Sequence, residues 1–529
     1  MSRGFFRSTL VVGISTLLSR ITGLGRDIVY ARMLPTDLMD AFFVANQIPN
    51  LLRRLFAEGA FSQAFVPIVA EYRARRSTEE VRDLVDSVAG TLGLVLAIVT
   101  VAGVILAPLL ILAFGSGFKF QGQHDPSKFT LAVDALRWTF PYLLFVSLTA
   151  LAGGVLNSYQ KFAVPAFSSV ILNVTMIVFA AWVSPHFERP VIAVAMGVFV
   201  GGVLQVLIQV PALLRLGVVR RPRWNWQHEG VKRITKLMGP AIVGSSMGQV
   251  SIIISQNIAT YMSAGSVSWL YYADRVVEFP LGVFSIALAT VILPSLSAHH
   301  AQQSREEFSN TLDWAVRLVW LIVTPAAVAL LVLAGPLTVA LFHYQKFSAL
   351  DVRMTSLALM AFSFALFGWS FIKVLAPGYY ARQDTKGPVR VAMQALGLTI
   401  VLNIVVAIYM GVTGAWQVQG MHAVLAITNG VGALFNAAVL YILLVRSKVL
   451  LPAPERKGVV LRIVIASAAM GAVLYWTGGD VDTWLLTPTL QRMVWLTALV
   501  VGGAAIYFAV LWILGVRPGE FRLRAAART

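Results

Sequence analysis

The chain has 529 residues, of which 58% are hydrophobic and only 12% are charged. Soluble globular domains contain about 25% charged residues, so this composition argues against a water-soluble enzyme. The absence of cysteine excludes disulfide frameworks, thiolate metal sites, iron–sulfur clusters and cysteine nucleophiles. The formal net charge of +18 does not require a nucleic-acid partner, because membrane proteins concentrate Lys and Arg in their cytoplasmic loops.

Apolar windows of about 20 residues predict fourteen membrane-spanning helices, and hence an all-α polytopic membrane protein. The predicted spans are residues 8–33, 38–70, 84–116, 130–158, 163–184, 191–214, 236–262, 266–298, 310–342, 354–381, 388–411, 419–445, 459–478 and 493–516. An even number of spans places both termini on one side of the membrane. The first, second and eighth spans are the least apolar.

The distribution of basic residues predicts on which side of the membrane the two termini lie. The termini and the even-numbered loops contain 27 Lys and Arg residues, and the odd-numbered loops contain 5. Lys and Arg are enriched in loops that remain in the cytoplasm. Both termini are therefore expected to be cytoplasmic.

Three pairs of similar segments indicate an internal repeat. Their landmark residues are separated by 228, 227 and 223 positions, a nearly constant offset: Ala45 with Ala273, Pro67 with Pro294, and Pro165 with Pro388. The offset predicts two pseudo-symmetric six-helix lobes in the same orientation, as in transporters built from parallel repeats. The predicted division is an N-lobe at 1–219, a C-lobe at 220–450, and two further helices with a cytoplasmic tail at 451–529.

Three spans carry ionisable residues at a depth where each costs roughly 2.5–3.5 kcal/mol, so these residues are expected to face a wet cavity or one another. The first span carries Arg20, Arg26 and Asp27; the second carries Asp40, Arg53 and Glu58; the eighth carries Asp274, Arg275 and Glu278. In the second span, positions 46, 50, 53/54 and 57/58 form a single polar stripe at helical spacing. The simplest arrangement turns all three spans toward one central cavity with an excess of arginine.

Structural roles remain as alternatives for several of these residues. Asp27 beside Arg26, and Asp274 beside Arg275, would also suit ion pairs that hold helices in register. Asp40 would also suit a helix cap near the outer mouth, and Glu58 a partner for Arg53 or Arg54. Arg54 would also reach the interface by extending its side chain.

The chemistry of an arginine-rich cavity favours an anionic substrate. The planar guanidinium matches phosphate in a bidentate manner that Lys does not reproduce. No Walker A, HExxH or GxSxG motif occurs in the chain. With two extra apolar helices available to a lipid tail, the pattern indicates a transporter of an amphiphilic polyprenyl- or phospholipid-like phosphate.

Several long motifs resemble those of one family. SRITGLGRDIVYAR begins at Ser19, NLLRRLFAEGAFSQAFVP at Asn50, GSVSWLYYADRVVEFPLGV at Gly265 and KVLAPGYYARQDTKGPV at Lys373. These segments closely resemble the MurJ (MviN) family of lipid II flippases in bacterial peptidoglycan synthesis. The resemblance extends from about residue 8 to 515, through loops as well as spans.

The resemblance implies two six-helix lobes plus helices 13 and 14, membership of the multidrug/oligosaccharidyl-lipid/polysaccharide exporter superfamily, and transport by alternating access. It implies that Arg20, Arg26, Arg53 and Arg275 hold the pyrophosphate of undecaprenyl-pyrophosphate disaccharide-pentapeptide. Their charge partners would be Asp27, Asp40, Glu58, Asp274 and Glu278. Gln47 departs from some relatives, which have Lys there, so that charge is not universally required.

Further expectations concern partners and energy. We expect a monomer surrounded by membrane lipids, with no catalytic residue and no cofactor. Coupling to the membrane potential or to a monovalent ion follows only from the resemblance, with Asp384 as the candidate cation ligand. The rival functions are an exporter of another polyprenyl-linked glycan or a small-molecule antiporter of the same superfamily, and a glycan polymerase. Short outer loops disfavour the polymerase.

Overall fold

The computed structural model describes residues 3–55, 61–120, 126–218, 221–282, 286–452 and 456–521. These residues form helices joined by short connections, and the described ranges contain no β-strand. By internal contacts the chain forms two compact units, Met1–Ser268 and Trp269–Thr529. The division into lobes at 219/220 and 450/451 stays a prediction about the internal repeat.

In its described residues, unit 1 contains twelve α-helices and the beginning of a thirteenth. They are α1 (Arg3–Met33), α2 (Thr36–Leu52), α3 (Ser62–Arg75), α4 (Thr78–Ile105), α5 (Ala107–Phe114), α6 (Gly117–Phe120), α7 (Pro126–Thr139), α8 (Tyr142–Ser158), α9 (Ala163–Val178), α10 (Pro190–Leu207), α11 (Val210–Leu216) and α12 (Glu229–Ala259). Helix α1 packs against α9, α2 against α7, and α9 against α10. Fully buried Phe65, Val85 and Val155 lie in an apolar core where α3, α4 and α8 meet.

Polar contacts join α12 to the other helices of unit 1 at both ends. Near its first turn, Arg233 donates two hydrogen bonds to Glu71 of α3, at 3.1 and 2.7 Å. Near its last turn, Asn257 Nδ2 donates to the Ala113 carbonyl at 2.9 Å. The N–H of Gly117 donates to Thr260 Oγ1, just beyond the helix, at 3.1 Å.

The described part of unit 2 contains the rest of α13 (Ser266–Pro280) and nine further α-helices. They are α14 (Ile286–Ala301), α15 (Arg305–Val332), α16 (Ala334–Phe342), α17 (Ala349–Tyr380), α18 (Lys386–Thr413), α19 (His422–Arg446), α20 (Arg456–Gly478), α21 (Val481–Leu486) and α22 (Thr489–Ile513). Helix α17 packs along α19 and α15, and α20 packs along α22 and α15.

Ten helical segments in the described ranges are long and apolar enough to cross a membrane. They are Thr78–Ile105, Ser127–Ser158, Ala163–His186, Pro190–Leu216, Arg305–Val332, Ala349–Tyr380, Lys386–Thr413, His422–Arg446, Gly458–Gly478 and Thr489–Ile513. Each overlaps a span predicted from the sequence. A polytopic helical membrane protein is thereby confirmed, whereas the count of fourteen spans stays a prediction.

The four remaining predicted spans, the first, second, seventh and eighth, are helical in their described parts. They correspond to α1, to α2 with α3, to α12, and to α13 with α14. Helices α2 and α13 have 17 and 15 residues, and each is followed by a π-helical turn, 53–55 and 281–282, that borders residues outside the described ranges.

Helices α17 and α19 approach each other closely because of a glycine. A Cβ atom on Gly368 would lie 2.5 Å from the carbonyl carbon of Ala433 and 2.6 Å from the nitrogen of Leu434. These are backbone atoms, so they cannot move aside without displacing a helix. Small residues permit this kind of approach between membrane helices.

We predict that Gly368→Ala destabilises unit 2 by about 1–3 kcal/mol, the usual cost of overpacking. Gly397→Ala in α18 is the matched control, because a Cβ there meets nothing within 4 Å. The measurement is the thermal unfolding midpoint of each purified variant in detergent. Equal midpoints for the two variants would contradict the close approach at Gly368.

Candidate functional site

The charged residues of α1 form a compact cluster with one residue of α9. Arg26 donates to Asp27 Oδ1 through Nε at 2.9 Å and through Nη2 at 2.7 Å. Arg26 Nη1 also donates to Asn173 Oδ1 at 3.1 Å. Asp27 is fully buried, and the Arg26 side chain is 12% exposed. The predicted pairing of Arg26 with Asp27 is therefore present, as a bidentate contact to one carboxylate oxygen.

Asn173 is a member of this cluster that the sequence reasoning missed. Its amide donates to the Ser19 carbonyl at 3.0 Å and to Thr22 Oγ1 at 3.2 Å, while its oxygen accepts from Arg26. Asn173 is buried in an otherwise apolar stretch of α9. An amide at membrane depth is the signal that could have marked it, since such a group needs polar partners.

The charged face of α2 is only partly within the described residues. Arg53 Nε donates to Asn50 Oδ1 at 3.3 Å, and Asn50 Nδ2 donates to the Asn46 carbonyl at 2.9 Å. Residues 46, 50 and 53 thus form one polar stripe, as their spacing predicted. Arg53 is half-buried at the π-helical turn 53–55 that follows α2, and Glu58 lies outside the described residues. Arg20, on α1, is half-buried as well.

Asp40 has a different environment from the arginines, because its carboxylate is buried and accepts several hydrogen bonds. Lys128 Nζ donates to Oδ2 at 3.1 Å, and the N–H of Gly265 donates to the same oxygen at 2.7 Å. The N–H and the hydroxyl of Ser268 both donate to Oδ1, at 2.8 and 2.7 Å. Asp40 therefore binds backbone N–H groups at the beginning of α13, the capping role that stood as its structural alternative.

In α13, the charged residues lie on one face of the helix. Arg275 Nη1 donates to Glu278 Oε2 at 2.6 Å, and Nη2 donates to the Tyr271 hydroxyl at 3.1 Å. The side chains of Arg275 and Glu278 are 32% and 42% exposed, and Asp274 is half-buried. Arg275 is thus held by neighbours of its own helix while part of its side chain remains exposed.

Asp384, the candidate cation ligand, begins a helix. Its Oδ1 accepts the N–H of Gly387 in the first turn of α18 at 2.8 Å. Among the described residues, no group of three or more His, Cys, Asp and Glu side chains is arranged to hold a metal ion. This geometry is that of a capping residue, and coupling to a cation stays a prediction without a described ligand set.

Two further charged residues inside unit 2 have structural partners that the sequence did not reveal. Arg317 Nε lies 3.1 Å from the buried Asp313 Oδ2, one turn away on α15. Arg492, also buried, donates to the carbonyls of Thr487, His343 and Leu485, with the last two at 3.1 and 2.8 Å. Arg492 thereby joins the beginning of α22 to the segments before it and after α16.

The fold is that of a known class of transporters. A solved structure described as an inward-facing multidrug resistance MATE family transporter of the MOP superfamily matches with a TM-score of 0.66 at 14% identity, covering 83% of this chain and 98% of that chain. A structure described as lipid II flippase MurJ in an inward closed conformation matches with a TM-score of 0.77 at 24% identity, covering 95% of this chain and 98% of that chain. The chain therefore has the fold that these two solved structures share.

Sequence comparisons narrow this class to one family. The family described as "Lipid II flippase MurJ" matches residues 32–494. A probable lipid II flippase MurJ of Vibrio cholerae is 43% identical over 99% of this chain and 98% of the relative, and a lipid II flippase MurJ of Burkholderia cenocepacia is 42% identical over 98% and 99%. The chain belongs to the MurJ lipid II flippase family. It is a transporter and not an enzyme, and it is an integral multi-pass protein of the bacterial inner membrane.

We predict that Asp40→Ala destabilises the protein by about 3–5 kcal/mol, because it leaves the Lys128 ammonium nearly buried without its carboxylate. Asp37→Ala is the matched control, since Asp37 is an exposed carboxylate one turn away on the same helix. The measurement is the unfolding midpoint of each variant, together with its abundance in membranes. If Asp40→Ala unfolds at the same temperature as Asp37→Ala, the structural role of Asp40 is wrong.

Proposed function

We propose that this chain moves lipid II, the undecaprenyl-pyrophosphate disaccharide-pentapeptide, from the inner to the outer leaflet of the inner membrane by alternating access. The observation that carries this proposal is the match to the lipid II flippase family over residues 32–494, joined to arginines on the three least apolar of the predicted spans. Arginine clusters at membrane depth suit an anionic substrate and disfavour a cationic one.

The proposed substrate contacts are guanidinium groups. Arg20, Arg26, Arg53 and Arg275 would bind the pyrophosphate and nearby anionic groups. Arg26 and Arg275 already donate to carboxylates, Asp27 and Glu278. A phosphate oxygen is a comparable acceptor for the same N–H groups.

The carboxylates would then act as exchangeable partners. Asp27, Glu58, Asp274 and Glu278 would neutralise the arginines when no lipid is bound and release them to the pyrophosphate when it arrives. Asp40 would serve transport indirectly, by holding the beginning of α13. A ligand shifts a conformational equilibrium only when it interacts differently with the alternating states, and exchange of ion-pair partners is one such difference.

The polyprenyl tail would lie along α20 and α22, the two C-terminal helices. Both expose apolar side chains, among them Leu461, Ile465, Val494, Val501 and Phe508. The termini would be cytoplasmic, and the protein would act as a monomer. Its energy source would be the membrane potential or a monovalent ion.

We predict the orientation from accessibility to a membrane-impermeant maleimide. The chain has no cysteine, so single-cysteine variants carry no background. In intact spheroplasts, Ser127→Cys should react and Ser447→Cys should be protected until the membrane is made permeable. Reaction of Ser447→Cys from outside would contradict the cytoplasmic termini.

Translocation of fluorescent lipid II in proteoliposomes tests the function directly. We expect transport above that of protein-free vesicles, and a change in its rate when a potential is imposed. A fluorescent phospholipid without pyrophosphate is the control and should not be moved. Lipid II movement no faster than in empty vesicles, with and without a potential, would contradict the proposal.

We predict that Arg275→Lys lowers this transport by about 10- to 100-fold, because an ammonium loses the bidentate charged hydrogen bonds that are worth about 1.5–3 kcal/mol. Arg275→Ala should abolish transport while the protein stays folded. If Arg275 only neutralises Glu278, the double variant Arg275→Ala with Glu278→Ala should regain transport. Recovery to the wild-type rate would exclude a substrate contact for Arg275.

A further inference from the structure

The connection between α11 and α12 packs against α4. Two hydrogen bonds donated by its backbone N–H groups fix its position along the α4 axis. The N–H of Arg223 donates to the Asp86 carbonyl at 2.9 Å, and the N–H of Asn225 donates to Thr91 Oγ1 at 3.2 Å. All four residues belong to unit 1. The described part of this connection, residues 221–228, is called here the basic loop.

The absence of a side chain at Gly90 permits the loop to pack this closely against α4. A Cβ atom at position 90 would lie 2.3 Å from the carbonyl carbon and oxygen of Arg223, which are backbone atoms. Any larger residue would therefore displace the loop from the helix. Gly93, less than one turn further along α4, has nothing within 4 Å of the corresponding position, so contact with the loop is specific to Gly90.

The contact between the basic loop and α4 lies at the edge of the lipid-facing part of α4. From residue 94 onward this helix exposes large apolar side chains, and Leu94, Val95, Ile98, Val99, Val101 and Ile105 are exposed. Leu94 follows Thr91 by three residues, or about 4.5 Å along the helix axis. Exposed apolar side chains on a membrane span contact lipid tails, so the basic loop lies where tails meet headgroups.

At this position along the α4 axis, the basic loop exposes two aromatic rings and two guanidinium groups. Trp224 and Trp226 are 56% and 44% exposed, and their rings stack with centroids 6.1 Å apart. Arg221 and Arg223 are exposed beside them. In the described part of the chain, no carboxylate lies within ion-pair distance of either arginine.

We propose that Arg221, Arg223, Trp224 and Trp226 form a binding surface for the phosphodiester headgroups of anionic glycerophospholipids. Indole rings prefer the interface, where the ring is apolar and the N–H remains hydrated. Guanidinium groups bind phosphate in a bidentate manner. The positive charge of the loop and its position at the boundary between lipid tails and headgroups favour a lipid headgroup as its ligand. A soluble protein partner would instead bind a surface that faces bulk water.

This surface is separate from the proposed contacts of the transported lipid. It lies on the outside of α4, and none of Arg20, Arg26, Arg53 and Arg275 belongs to it. Because α12 begins at Glu229, directly after the basic loop, a bound headgroup would restrain the beginning of that helix. The bound lipid is therefore a bulk membrane component that acts on the protein without being its cargo.

The test uses the full chain in nanodiscs, with a single cysteine at Gln227→Cys that carries an environment-sensitive fluorophore. Titration with short-chain phosphatidylglycerol into phosphatidylcholine discs should shift the emission to shorter wavelength and saturate. Removing one arginine, by Arg221→Gln or Arg223→Gln, should weaken binding about fivefold, which corresponds to about 1 kcal/mol per basic residue at an anionic surface. The double variant should weaken it about 25-fold.

Two glycine variants provide the matched control for position. Gly90→Ala should weaken phosphatidylglycerol binding because it lifts the loop, and Gly93→Ala should leave binding unchanged. Unfolding midpoints identify any variant that fails to fold.

Three outcomes would overturn the proposal. One is an identical response to phosphatidylcholine and phosphatidylglycerol. Another is unchanged affinity in the double arginine variant, which would assign the surface to another partner. A third is a selective loss of lipid II affinity, with phosphatidylglycerol binding unchanged, which would assign the loop to loading of the cargo. The experiment measures phosphatidylglycerol binding and does not measure lipid II transport. Its result is therefore valid even if the proposed function is wrong.

Discussion

An ionisable side chain on a helix among apolar neighbours must have polar partners close by, and this constraint governs the charged residues of both units. The cost of an unpaired charge at membrane depth is several kcal/mol. Partners within one turn of the same helix meet the need with the least rearrangement. Arg26 pairs with Asp27, Arg275 with Glu278, Arg317 with Asp313, and Arg53 with Asn50.

The side-chain ion pairs on α1 and α13 can exchange partners, whereas charges bound by backbone groups are fixed by the fold. Asp40 accepts from Lys128 and from N–H groups at the beginning of α13, and Arg492 donates to three carbonyls. Such groups cannot change partners without loss of structure. The Arg275 side chain, by contrast, is 32% exposed and bound to a carboxylate that is itself 42% exposed. The type of partner thus separates charges bound by backbone groups from those paired with a carboxylate of their own helix, as Arg26 is with Asp27 and Arg275 with Glu278.

The sequence predicted well those features that depend on short stretches of chain. Ten apolar helices coincide with predicted spans, because about 20 consecutive apolar residues are themselves the physical requirement for crossing a bilayer. The contact between Arg26 and Asp27 followed from their adjacency in the chain, and the stripe through Asn46, Asn50 and Arg53 followed from helical spacing. The contact of Asp40 with Lys128, 88 residues away, and that of Arg26 with Asn173, 147 residues away, depend on which helices pack together. Hydropathy carries no information on that packing.

The central claim is that Arg26 exchanges its carboxylate partner for the pyrophosphate of the transported lipid. The most direct test measures the affinity of the purified variants Arg26→Gln and Asp27→Asn for lipid II. The unfolding midpoint of each variant is measured as well, to show that it matches that of the wild type. If the carboxylate and the pyrophosphate compete, Arg26→Gln should weaken binding at least about tenfold, as expected from the loss of a charged hydrogen bond, and Asp27→Asn should strengthen it. Equal weakening in both variants, or no change in either, would show that the pair only holds the helix in place.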